Sequence, residues 1–118
     1  NFKLFNDTNG HRIGDSILME LSDFLKTSLR RGDLVFRWGG EEFLILLKDV
    51  DVSTAFLTLE KLRSRLESKD FEIQGKTLKL TVTIGVCPLD IDNVEQSIDL
   101  SDRLMYKGKF LGKNRVVM

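Results

Sequence analysis

Two short β-prone runs, Leu34-Val35-Phe36-Arg37-Trp38 and Phe43-Leu44-Ile45-Leu46-Leu47, are separated only by Gly39-Gly40-Glu41-Glu42. A hairpin is the simplest arrangement for runs joined so closely, and its tip would carry two adjacent carboxylates. The glycines let the backbone approach a ligand, while the carboxylates concentrate negative charge. That combination suits a magnesium ion and a nucleotide. An ordinary hairpin with a solvated acidic tip is the plain alternative.

The remaining pattern mixes helices and strands. Ile13, Ile17, Leu18, Leu21, Phe24, Leu25 and Leu29 recur at spacings of three and four, predicting an amphipathic helix over 13–31 with Gly32 as its stop. A second helix is predicted from an N-cap at Ser53 to about Ser68. Phe56, Leu59, Leu62, Leu66 and Ala55 would face inward, with Arg63, Arg65 and Glu67 solvated. Phe71–Gln74, a turn at Gly75-Lys76, and a longer alternating strand from Leu78 to Cys87 follow, ended by Pro88. A last helix is predicted over Val94–Leu111, with Gly112 ending it before a strand from Arg115 to Met118. Strands in hairpins with helices between them imply an α+β fold, a mostly antiparallel central sheet covered by helices, rather than a doubly wound parallel sheet.

Composition narrows the function classes. The 118 residues fit one compact domain with one site. Lys plus Arg and Asp plus Glu number 18 each, so no global field draws the chain to nucleic acid or anionic lipid, and phosphate binding must be local. No apolar run approaches the roughly 20 residues of a membrane span. The lone Cys87 offers no intrachain disulfide and no zinc-like cluster, which fits a reducing cytoplasmic setting. The start at Asn1-Phe2-Lys3 reads as a chain cut within a longer protein, with a strand expected before Phe2.

The segment Asn6-Asp7-Thr8-Asn9-Gly10-His11-Arg12-Ile13-Gly14-Asp15 gathers amide, carboxylate and imidazole groups where a helix begins. A polar ligand edge could be read there, though such residues also serve turns and caps. Arg30-Arg31-Gly32-Asp33 places two cations at a helix C-terminus, where they complement the dipole.

Taken in order, Phe2-Lys3, Asn6-Asp7, Gly10-His11, Gly14-Asp15 and Arg37-Trp38-Gly39-Gly40-Glu41-Glu42-Phe43 resemble the GGDEF family of diguanylate cyclases, in its Gly-Gly-Glu-Glu-Phe variant. Thr83-Ile84-Gly85-Val86, Asp102-Arg103-Leu104-Met105-Tyr106-Lys107-Gly108-Lys109 and Gly112-Lys113-Asn114-Arg115-Val116 extend the likeness over nearly the whole chain. The resemblance implies a palm-like nucleotidyl cyclase fold that condenses two GTP into cyclic di-GMP and releases pyrophosphate. It implies a homodimer with a half-site on each subunit.

By the same resemblance, Glu41 is a magnesium ligand, and Glu42 serves metal binding or activation of the attacking hydroxyl. Gly39 and Gly40 lie against the nucleotide. Asn6 and Asp15 read guanine, with His11 beside them. Lys3 lies near the triphosphate, and Lys109 and Lys113 hold its terminal phosphates. Lys113 departs from the Arg usual there and loses a planar bidentate fork, so weaker GTP binding is expected. Gly108 stands where Ala is common, which is expected to loosen its helix. Arg30 and Asp33 match the RxxD motif that binds cyclic di-GMP as a feedback inhibitor. A further metal-binding Asp is implied shortly before Asn1, and a sensory domain is implied N-terminal to this one.

Three alternatives to a cyclase share parts of this pattern. A catalytically inactive domain could act as a GTP or cyclic di-GMP binding module, which the intact Glu41, Glu42, Asn6 and Asp15 argue against. A purely structural dimerisation domain would leave those polar residues unexplained. A different palm-like cyclase or polymerase would be marked by use of ATP.

Overall fold

The computed structural model describes residues 11–118, and side chains from residue 14 onward. These residues form three long helices and six strands, an α+β fold. They cluster into two compact units. The first takes the described residues up to Lys48 with Asp70–Lys79, and the second takes Asp49–Lys69 with Leu80–Met118.

In the first unit, helix α1 (His11–Ser28) buries Ile17, Leu18, Leu21 and Leu25, a stripe at spacings of three and four. Against it lies the hairpin of β3 (Phe71–Ile73) and β4 (Lys76–Leu78), whose Phe71 and Ile73 are buried. Phe24 meets Phe71 edge to face, with ring centroids 6.2 Å apart. The β3–β4 turn sits at Gln74 and Gly75, both at positive φ, one residue earlier than expected. Two consecutive left-handed residues form the tight turn whose twist matches an antiparallel pair.

Helix α1 ends at Ser28, short of the expected 31, and Gly32 is not its stop. The residues after Ser28 are tied down by Asp33 instead. Its carboxylate accepts the Arg30 N–H at 3.1 Å and the Lys48 N–H at 3.0 Å. Strands β1 (Leu34–Gly39) and β2 (Glu42–Leu46) then pair antiparallel from Leu34↔Leu46 to Gly39↔Glu42, with a register shift between Arg37 and Gly39.

In the second unit, α2 (Val52–Ser68) buries Ala55, Leu59, Leu62 and Leu66. Its N-cap is Asp51, whose Oδ1 accepts the Thr54 N–H at 2.7 Å, not Ser53. Asp and Ser are comparable caps, and capping two residues earlier extends the helix. Phe56 is half-buried rather than inward.

The expected long strand over 78–87 divides. Its start belongs to β4, and its end is β5 (Thr83–Gly85), which pairs parallel with β6 (Arg115–Val117). Alternation reports which side chains face inward but not which backbone supplies the hydrogen bonds. A short 3₁₀ turn (Ile91–Asn93) and α3 (Val94–Phe110) connect β5 to β6. Among the described residues the strands form three two-stranded ladders, two antiparallel and one parallel.

Two glycines let α3 lie close to its strands. A Cβ on Gly85 would stand 2.1 Å from the Ser101 carbonyl oxygen. A Cβ on Gly108, which is buried, would stand 2.7 Å from Thr83 Cγ2 and 3.1 Å from Val117 Cγ2. Gly108 therefore does not merely loosen the helix: it makes room for β5 and β6.

Candidate active site

The β1–β2 turn is tighter than the sequence suggested. Gly39 and Glu42 pair as strand residues, leaving Gly40 and Glu41 as the turn. Gly40 has φ 48°, a conformation glycine adopts without strain. Among the described residues, a Cβ at Gly39 or Gly40 would meet nothing within 4 Å, which leaves room for a ligand against that backbone.

Arg37 braces this turn, a role not foreseen from the sequence. Its Nε and Nη2 donate to the Gly40 carbonyl at 3.0 and 2.8 Å. Glu41 is exposed and Glu42 half-buried. Among the described residues, no hydrogen bond or ion pair occupies either carboxylate. The hairpin thus presents hard oxygen donors beside open backbone.

Such a donor set fits magnesium, which takes one or two carboxylates and completes its shell with water and substrate phosphates. Among the described residues, no group of three or more His, Cys, Asp or Glu side chains converges as a ready-made metal cage. Any ion here would rely on Glu41, with Glu42 beside it, and on ligands brought by the nucleotide.

Arg30 and Asp33 lie at the other end of the same hairpin, about 17 Å away along a strand of six residues. The Asp33 side chain is only 2% exposed and the Arg30 side chain 61%. Burial pushes the Asp33 carboxyl up, but the N–H donors of Lys48 and Arg30 and the Arg30 guanidinium outweigh it and hold the pKa below the usual range. Arg30 Nη2 also donates to the Lys48 carbonyl. The pair therefore clamps the open end of the hairpin: Asp33 is committed inward while much of Arg30 faces solvent.

Asp15 is exposed on α1. Lys3 and Asn6 lie outside the described residues, and so does the side chain of His11. Lys109 and Lys113 belong to the second unit. Lys109 is half-buried, with Nζ 5.4 Å from the centre of the Tyr106 ring. Lys113 is exposed, at φ 64° in the turn that follows α3. A helix C-terminus repels anions, so phosphate binding there would depend on the lysines themselves.

Arg63, expected to be solvated, is 14% exposed and fully engaged. It grips Glu60 through Nε and Nη2, and its Nη1 donates to Asn114 Oδ1 at 2.8 Å. Glu60 is held below the usual carboxylate range by Arg63, and that same bond raises the Arg63 pKa. The spacing of Glu60, Arg63 and Glu67 on one helix announces local pairing. Nothing in the sequence points to Asn114 as the distant partner.

Residues 1–115 match the family model of the diguanylate cyclase GGDEF domain, a match that runs through both units. The chain belongs to the GGDEF domain family. It is 34% identical over 119 residues to diguanylate cyclase A of Treponema denticola, covering 99% of this chain and 32% of that protein. The domain spans about a third or less of the length of the curated relatives it matches. Among solved structures it resembles the GGDEF domain of DgcB from Caulobacter crescentus in complex with c-di-GMP. There the TM-score is 0.87 at 28% identity, over 99% of this chain and 69% of that one. It also resembles the active GGEEF domain of a diguanylate cyclase from Vibrio cholerae, with a TM-score of 0.75 at 32% identity over 99% and 75% of the two chains.

Proposed function

We propose that this GGDEF domain is a diguanylate cyclase that joins two GTP molecules into cyclic di-GMP. The open glycine turn carrying Glu41 and Glu42, in a member of this family, is the observation that carries the reading. In each half-reaction a ribose 3′-oxygen bonds to the α-phosphorus of the other GTP, the bond from that phosphorus to the bridging oxygen breaks, and pyrophosphate leaves. Two such steps close the ring, and the two 3′-hydroxyl protons pass to a base or to water.

Glu41 would hold magnesium through its exposed carboxylate. Bound magnesium would ease formation of the attacking alkoxide and neutralise the departing pyrophosphate. Glu42, paired with Gly39 at the mouth of the turn, would serve as a second ligand or accept the hydroxyl proton. The free backbone at Gly39 and Gly40 would let the nucleotide lie directly against the turn.

Asn6 and Asp15, with His11, would read the guanine edge, since an amide with a carboxylate would leave adenine unpaired. Lys3, Lys109 and Lys113 would hold the triphosphate. The two compact units would act as one GGDEF domain, working as a homodimer under a sensory domain in the whole protein. A cytoplasmic setting would supply the GTP.

Product feedback at Arg30 and Asp33 is the second part of the proposal. The exposed Arg30 guanidinium supports it, since a planar fork can take a guanine edge or a phosphate. Asp33 enters differently from the simple motif reading, because its oxygens already serve backbone donors.

The test is conversion of GTP with magnesium to cyclic di-GMP by the whole protein. Product formation supports the cyclase. Tight binding of GTP or cyclic di-GMP without turnover would replace it with a binding module.

A further inference from the structure

The chain leaves α3 through three consecutive residues at positive φ: Gly112 at 126°, Lys113 at 64° and Asn114 at 47°. Only the first is glycine. The left-handed region is disfavoured for other L residues, and Asn tolerates it best through local side-chain hydrogen bonds. Something outside the turn must hold it.

The helix end supplies half of the support. The Gly112 N–H reaches the Lys109 carbonyl at 3.3 Å and the Lys113 N–H reaches the Gly108 carbonyl at 2.9 Å, the paired bonds of a Schellman ending. Asn114 supplies the rest with three bonds. Its N–H donates to Thr83 Oγ1 at 3.1 Å, its Oδ1 accepts from Arg63 Nη1 at 2.8 Å, and its Nδ2 donates to Glu67. Arg63 can aim at Asn114 because Glu60 fixes the plane of its guanidinium, with Nε contacts of 3.1 and 2.9 Å and an Nη2 contact of 2.5 Å. Arg115 Nε closes over the Lys113 carbonyl at 3.0 Å. The Lys113 backbone is therefore held from both sides while its side chain is exposed.

We infer that Arg63 and Asn114 are positioning residues: they lock the left-handed turn that presents the Lys113 ammonium to the terminal phosphates of GTP. Lysine is a point charge on a flexible stem without the fork of arginine, so a fixed backbone is its main means of preorganisation. The inference rests on the proposed phosphate role of Lys113, and the experiment separates the two.

Affinities for GTP and for GMP, which lacks the terminal phosphates, are measured calorimetrically with magnesium on the whole protein. The variants are Lys113→Ala, Arg63→Gln and Asn114→Gly, each checked by thermal melting. Glycine at 114 keeps the left-handed backbone unstrained while deleting the side chain, so it carries the test if Arg63→Gln fails to fold. Each variant should bind GTP about tenfold more weakly, equivalent to about 1.4 kcal/mol, and GMP as before. Lys113→Ala combined with Arg63→Gln should lose no more than Lys113→Ala alone.

Wild-type GTP affinity in Arg63→Gln and Asn114→Gly, with Lys113→Ala weakened, overturns the positioning role and leaves the phosphate role standing. Equal losses for GMP and GTP make the network merely structural and overturn it as well. Wild-type affinity in Lys113→Ala removes the phosphate role and the inference together.

Discussion

Replacing Asp33 by Ala leaves two backbone donors, the Arg30 and Lys48 N–H groups, without the carboxylate that now accepts them at 3.1 and 3.0 Å. A hydrogen bond to a charged group contributes about 1.5–3 kcal/mol, and water near the exposed Arg30 places these at the low end. Two of them give a loss of about 3 kcal/mol, or about 12 °C in Tm at about 4 °C per kcal/mol for a domain of this size. Asp33→Asn keeps one acceptor and should lose about half.

The pH dependence distinguishes charge from shape. The folded pKa of Asp33 is depressed, so its contribution is complete above the unfolded value of about 3.9 and is lost as pH falls through the folded value. The melting gap between wild type and Asp33→Asn should therefore be constant near neutrality and shrink in acid below about pH 4. A loss under about 3 °C for Asp33→Ala, or a gap to Asp33→Asn unchanged down to pH 3, would refute the clamp described for the hairpin's open end.

Gly108→Ala gains helix propensity of about 1 kcal/mol but forces a contact with Thr83 Cγ2 that overpacking makes costlier, so net destabilisation is expected. Adding Thr83→Ser removes that methyl, keeps the hydroxyl that accepts the Asn114 N–H, and should recover part of the melting temperature, the 3.1 Å contact with Val117 Cγ2 remaining. Glu41→Gln should lower cyclic di-GMP formation at least about 100-fold with the melting temperature unchanged, since the side chain is exposed. Arg30→Ala should abolish tight cyclic di-GMP binding in calorimetry and leave turnover intact, at a small cost in stability from the lost bond to the Lys48 carbonyl.

Local chemistry made much of the fold legible. The runs flanking Gly39 and Gly40 are a hairpin, the buried stripe of α2 lies at its expected spacing, and Gly112 ends α3. Expectation failed where partners are distant in the chain. Leu78 and Thr83 read as one strand, yet β4 bonds to β3 while β5 bonds to β6, because alternation records burial and not pairing. Asp51 displaced Ser53 as a cap, a choice between two residues with the same preference.

The candidate site divides in the same way. Glycines and carboxylates at the hairpin are legible because a turn is a local event. Charge alone suggests a solvent-facing Arg63, whereas its Asn114 partner lies 51 residues away. Asp33 matched a ligand-binding pattern, but its donors include the Lys48 N–H, which no motif spacing reveals.

Incubating the whole protein with GTP and magnesium, and separating the nucleotide products by chromatography, tests the cyclase reaction itself. Cyclic di-GMP and pyrophosphate are expected from GTP, and neither from ATP. Intact GTP after prolonged incubation, with the nucleotide nonetheless bound, would contradict it.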